Sequence, residues 1–221
     1  MAKKKRSFVV VGLGRFGTRV AKELVAYGNS VLGIDTEERF VSPVADILTE
    51  AVIADARDEA ALREAGVGSY DAAIVAIGSN LEASVLAHMN LQTLGIDQIT
   101  VKAFDAQHAR ILEALGAEDI VIPEQDAGAH IAQRLHNPRI VDFMEVREGR
   151  YVALVEAPPR HVGRTMAAIA ADKDIDLRFM GLLRGEAYLA PDGPDELFVA
   201  AADRLLIGGS RAAVRDFADA G

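Results

Sequence analysis

A short apolar run, Phe8-Val9-Val10-Val11, passes directly into Gly12-Leu13-Gly14-Arg15-Phe16-Gly17, and an acidic residue, Asp35, closes the next apolar run. That order restricts the opening of the chain to a strand, a tight turn and a helix. Gly12 permits the turn off the strand, Gly14 lets the backbone approach a phosphate because no Cβ intrudes, and Gly17 lets the helix pack closely on the sheet. The helix start presents unpaired N–H groups and a partial positive charge, where phosphate settles. Phe16, Val20, Leu24 and Tyr27 then share one helix face. Asp35 stands close to the roughly 20-residue spacing of a carboxylate that accepts ribose hydroxyls. A negative group there repels a 2′-phosphate, which argues against NADP.

The rest of the first 122 residues repeats the alternation. Short, continuously apolar runs at 30–34, 51–54, 72–77, 99–101 and 120–122 read as strands, and residues 59–65, 81–94 and 106–115 as helices between them. Strands of that kind imply a parallel sheet covered on both faces, and right-handed crossovers give an α/β, doubly wound, Rossmann-like fold. A further helix over 126–135 follows Pro123 and stops before Asn137-Pro138. The pattern then changes to α+β. Strands are expected at 140–146 and 151–156 around the turn Arg147-Glu148-Gly149-Arg150, then a helix at 165–171, strands at 178–183 and 204–207, and a last helix from Ser210. The expected domains are 7–139, Rossmann-type and nucleotide-binding, and 140–221, small α+β.

Composition narrows the class. The formal net charge is −9, from 33 acidic and 24 basic residues, so a nucleic acid meets no basic field. The basic cluster Lys3-Lys4-Lys5-Arg6 reads as a solvated tail or as an attraction to an anionic membrane surface. Cysteine is absent, which removes disulfides, thiolate zinc sites and cysteine nucleophiles. No apolar run approaches the ~18 residues of a membrane span, and the start lacks the apolar segment of a signal peptide, so a soluble, cytosolic chain is expected.

Gly12-Leu13-Gly14-Arg15-Phe16-Gly17 and Asp35, followed by Ile53-Ala54-Asp55-Ala56, Ile74-Val75-Ala76-Ile77-Gly78, Val101-Lys102-Ala103, Gly116-Ala117-Glu118 and Ile122-Pro123-Glu124, resemble the KtrA/TrkA family. These are the cytosolic regulatory (RCK) subunits of bacterial potassium channels and transporters. The single unit is more similar to KtrA and KtrC than to tandem TrkA chains. The resemblance implies homodimers assembled into an octameric ring, docked on a potassium-translocating membrane protein of the KtrB/TrkH type, with ATP and ADP favouring different ring shapes. The location implied is cytoplasmic and peripheral to the membrane.

Carried over residue by residue, the resemblance implies a nucleotide site of Gly12, Leu13, Gly14, Arg15, Phe16, Gly17, Asp35, Thr36, Arg39, Asp55, Ala56, Ala76, Ile77, Gly78, Ser79, Asn80 and Lys102. Arg15 corresponds to an arginine that reaches a γ-phosphate. Asp55 falls where such a sheet meets adenine, or is a turn aspartate ahead of Asp58. Ser79 and Asn80 fit a phosphate loop or a helix cap. Lys102, in an otherwise apolar strand, requires an anion to be buried and matches a lysine near the phosphates. Glu124 matches a glutamate that binds a cation between paired subunits when ATP is present, or is a first-turn glutamate favoured by the helix dipole. The helices at 81–94 and 106–115 offer apolar faces for covering the sheet or for pairing. Family members that bind cyclic di-AMP carry an Asn-x-Arg element where this chain has Ala170-Ala171-Asp172-Lys173-Asp174, so no cyclic di-AMP binding in the usual mode is expected.

Two other classes compete with a switch that has no turnover. An NAD-dependent oxidoreductase needs a positioned acid or base, and the last ~80 residues offer no His, Tyr-Lys or carboxylate arrangement for one. An ATP hydrolase of the P-loop kind needs GxxxxGK[ST], which is missing. The five histidines show no zinc spacing and read as structural or surface residues. NAD or NADH stays open as the ligand in place of ATP or ADP.

Overall fold

A computed structural model describes residues 5–78, 80–147, 149–172, 176–191 and 197–219. Lys3 and Lys4 of the basic cluster, Ser79, Glu148 of the expected turn, and Lys173 and Asp174 of the acidic stretch lie outside the described residues. Packing divides the chain into a unit that ends at Gln125 and a unit that starts at Asp126.

The first unit runs β1 (Ser7–Val11), α1 (Arg15–Ala26), β2 (Ser30–Asp35), α2 (Glu38–Val41), β3 (Glu50–Ile53), α3 (Glu59–Glu64), β4 (Ala72–Val75), α4 (Leu81–Thr93), β5 (Ile99–Lys102), α5 (Ala106–Ala114) and β6 (Asp119–Val121). Its six strands form one sheet in the order β3-β2-β1-β4-β5-β6, and every pairing is parallel. The order reverses between β1 and β4, and the crevice beyond the carboxyl ends of these two strands is where open α/β sheets take ligands.

Both faces of the sheet are buried, which is why the strands read as unbroken apolar runs. Val9, Val11, Leu32, Ile34, Val75 and Val101 pack under Leu62 of α3, Ala87 and Leu91 of α4 and Leu112 of α5. Val10 and Val31 point the other way, against Leu13, Ala21, Val41 and Leu48. The sequence extends the fourth strand to Ile77, whereas β4 ends at Val75. Ala76 still donates its N–H to Val11 O at 2.7 Å, so the chain leaves the ladder only after closing over β1.

α6 (Pro123–His136) begins in the first unit, with proline at the first position, where a missing N–H is tolerated. The second unit continues as β7 (Ile140–Arg147), β8 (Arg150–Glu156), α7 (Met166–Ala170), β9 (Leu177–Arg184), β10 (Ala187–Leu189), β11 (Arg204–Ser210) and α8 (Arg211–Asp219). Its antiparallel sheet has the order β10-β9-β11-β8-β7, over a core of Val155, Ile169, Leu182, Leu205, Ile207 and Phe217. The packing boundary at 125/126 precedes the 139/140 position expected from the change to an α+β pattern. The later turns of α6 belong to the second unit: the His130 ring stacks on Phe143 at 4.9 Å, and Asn137 Nδ2 donates to Asp219 Oδ1 at 2.5 Å. No helix among the described residues is long and apolar enough to cross a membrane.

Candidate functional site

The glycine turn is built from close backbone approaches. Gly12 has φ +92°, and its N–H donates to Ile34 O at 2.8 Å. A Cβ on Gly17 would lie 1.8 Å from Gly12 O, so only glycine lets α1 start this close to the strand. Gly14, the N-cap of α1, has nothing within 4 Å of where a Cβ would stand, so open space lies in front of it.

Among the described residues, side chains cap five other helix starts: Asp58 on α3, Asn80 on α4, Asp105 on α5, Thr165 on α7 and Ser210 on α8. The first turn of α1 has no such side-chain cap. Unpaired donors at a helix start are what phosphate binding requires.

Asp35 ends β2 and holds the turn from the side. Its Oδ2 accepts the Leu13 N–H at 2.7 Å and its Oδ1 accepts the Glu37 N–H at 3.0 Å. Asp55, beyond β3, forms a bidentate pair with Arg57, whose Nε lies 3.0 Å from both carboxylate oxygens. That guanidinium, first through its hydrogen bonds, holds the Asp55 carboxyl below the usual carboxylate range. The cap of α3 is therefore Asp58, and Asp55 is a turn residue that fixes Arg57.

A cavity of about 470 Å³ opens between these parts. Among the residues expected to touch a nucleotide, Gly12, Gly14, Asp35, Thr36, Asp55, Ala56, Ala76, Ile77, Gly78 and Asn80 line it. Leu13 is buried beneath the turn and contributes its N–H to Asp35. Arg39 is turned away, paired with Glu37 at 2.7 Å and set over the Phe40 ring. Asn80 caps α4 through Ala83 N–H at 3.0 Å.

Seven lining residues stand outside the expected set: Val11, Ile34 and Ala54 at the strand ends, and Glu37, Phe40, Arg57 and Ala83. The position of Glu37 and Phe40 just past Asp35 was the available signal. Asn90 supports the same wall from α4 by donating to both Ala56 O and Arg57 O at 2.9 Å. Nothing in local sequence pairs residue 90 with residues 56 and 57.

Lys102 and Glu124 meet outside that cavity. Lys102 is 8% exposed at the end of β5, and its Nζ donates to Glu124 Oε1 at 2.7 Å. The ammonium also lies 5.5 Å from the centroid of the Phe16 ring. Lys102, with a smaller contribution from the charge of Arg15, holds the Glu124 carboxyl below its ordinary range. The anion that a buried lysine demands is here a side chain of the same unit.

A larger cavity, about 750 Å³, lies near the amino ends of the strands and is lined in part by Arg6, His88 and Gln98. Ligands of open α/β sheets bind at the opposite end. His88, His108 and His161 are buried. Among the described residues no His, Asp and Glu side chains gather as a metal-ligand group.

The TrkA-N domain profile matches residues 8–123. The Ktr system potassium uptake protein C of Bacillus subtilis (strain 168) is 35% identical over 185 residues, covering 84% of each chain. The Ktr system potassium uptake protein A of Vibrio alginolyticus is 34% identical over 188 residues, 85% of this chain and 86% of that one. Among solved structures, the GsuK RCK domain superposes with a TM-score of 0.64 at 12% identity, covering 99% of this chain and 49% of that one. That likeness concerns the fold, and this chain spans about half of the GsuK chain.

Proposed function

The chain belongs to the TrkA-N family, and from that premise we propose that it is a nucleotide-binding regulatory subunit of a potassium uptake system, without catalytic turnover. The observation that carries this reading is the crevice itself: an α1 start without a side-chain cap, Gly14 with open space before it, and Asp35 lining one cavity with Gly14. Relatives named as potassium uptake proteins, similar over most of their length, support the physiological context.

In this reading ATP and ADP occupy the crevice in turn, and their different affinities for two conformations bias the assembly, as any ligand-driven switch requires. Homodimers form an octameric ring on the cytoplasmic face of a KtrB/TrkH-like membrane protein. Arg15 senses the terminal phosphate, and Glu124 contributes to a cation site between paired subunits. Cyclic di-AMP is not bound in the usual mode. NAD or NADH is the second reading of the ligand, since Asp35 suits the ribose of either nucleotide.

Thermal-shift and calorimetric titration with ATP, ADP, AMP and NADH test the site. Binding of ATP and ADP with different affinities is expected. Tightest binding of NADH, with hydride transfer to a substrate, would overturn the regulatory reading. Light scattering tests the ring, and a monomer at micromolar concentration would exclude it.

A further inference from the structure

The carboxyl edge of the parallel sheet carries two different arrangements side by side. On the β2–β3 side lies the cavity with Asp35 and Asp55. On the β5–β6 side, Lys102 ends β5, Glu124 comes just after β6, and Phe16 of α1 lies beside the ammonium. The two partners are unequal: the Lys102 side chain is 10% exposed and that of Glu124 is 65% exposed. The cation is fixed and desolvated, so it must keep an anion. The carboxylate stands largely in water and is free to leave without a large solvation cost. Its own anchorage is the first turn of α6, a short lever next to Pro123.

We propose that Glu124 is an internal stand-in for phosphate, which a nucleotide must displace from Lys102 if its phosphate chain extends past the start of α1 towards β5, so that Glu124 sets the site's selectivity by phosphate-chain length. This rests on the reading of the crevice as a nucleotide site. A chain that stops at the glycine turn leaves the Lys102–Glu124 pair intact. A longer one exchanges a carboxylate for a phosphate at the same ammonium, and the freed carboxylate returns to solvent. The exchange keeps one anion on Lys102 throughout, and Phe16 shields the ammonium in both states. The pair thus subtracts affinity from long phosphate chains alone, by about the value of one charge-assisted hydrogen bond, roughly tenfold.

The test is calorimetric titration of the full chain with AMP, ADP and ATP in EDTA, so that no divalent cation bridges to Glu124. Wild type, E124Q and E124A are compared, with circular dichroism to check that each is folded. The expected result is that E124Q tightens ATP about tenfold and leaves AMP within about twofold, with E124A showing the same pattern. In a K102M background the same Glu124→Gln change is expected to have no effect on ATP. Equal shifts for AMP and ATP, or weaker ATP binding in E124Q, would overturn the proposal, because a purely structural pair affects all ligands alike. If AMP, ADP and ATP all fail to bind wild type, the nucleotide reading falls and the proposal with it. If they bind and the variants do not discriminate, the proposal alone falls.

Discussion

The backbone N–H of Leu13 donates to Asp35 Oδ2 across 2.7 Å, so the carboxylate that faces the crevice also pins the turn that shapes it. Asp35 therefore serves two ends at once: one oxygen holds the turn at Leu13, and the other holds the chain at Glu37. Replacing Asp35 with alanine is expected to weaken adenine nucleotides at least tenfold and to lower stability by ~1–2 kcal/mol, the value of hydrogen bonds to a charged group at a half-buried site. Calorimetry reads the first effect and a denaturant melt the second. A variant with unchanged affinity would remove Asp35 from the site.

Gly14 and Gly17 separate ligand space from packing space. Gly14→Ala meets nothing within 4 Å, and its φ of −62° suits any residue. It should therefore melt within a few degrees of wild type while losing nucleotide affinity. Gly17→Ala drives a methyl to 1.8 Å from Gly12 O and is expected to unfold the turn, by ~3 kcal/mol or more. Paired melting and binding curves check the contrast, and equal stability of the two variants would refute it.

Stability of the second unit should fall in mild acid because of His161. The ring is 1% exposed and stacked on Phe217 at 4.8 Å, and Arg160 Nε donates to its Nε2 at 3.0 Å. Burial, then the charges of Arg160 and Arg164, pushes its pKa from 6.5 down to about 4. The unfolded chain then binds the extra proton, so the stability due to the neutral ring is full above pH 6.5 and lost progressively towards pH 4. The loss amounts to ~3 kcal/mol at most. His88 and His108 shift the same way through burial and add the same sign in the first unit. His161→Phe keeps the stacking and should flatten this part of the stability–pH curve, read from urea melts between pH 4 and 7.

Asp203 is 1% exposed and accepts from Arg184 Nε at 2.9 Å, Arg184 NH2 at 2.8 Å and the Ala200 N–H at 2.8 Å. The Arg184 side chain is about half exposed, so losing its partner leaves it solvated, while the Ala200 N–H loses its acceptor. Asp203→Ala is expected to cost ~2 kcal/mol and to lower the melting temperature by several degrees without changing nucleotide affinity. A variant that lost affinity alone would give this pair a role beyond stability.

The parallel sheet was legible because β1, β2 and β4 are buried on two faces and announce it with runs free of charged residues until Asp35 ends β2. The glycine turn and Asp35 were legible because their spacing is local. β10 was not anticipated: Ala187 and Tyr188 are exposed, and three residues without alternation carry no strand signal. α2, with four residues, is likewise too short to show a period. The need of Lys102 for an anion could be read from its apolar surroundings, but the identity of that anion could not. Glu124 is distant in sequence and reaches the lysine only after α5 and β6 have folded back. Asn90 behind Ala56 was hidden for the same reason.

All the described residues that line the cavity beside Asp35 fall between Val11 and Ala83. That cavity is therefore a cassette encoded by one continuous stretch of gene, whereas the Lys102–Glu124 pair comes from β5 and the start of α6. Recombination or fusion downstream of that stretch can exchange what the module reports to while carrying the cavity's own residues over as a block. Any new output grafted there inherits the same cavity.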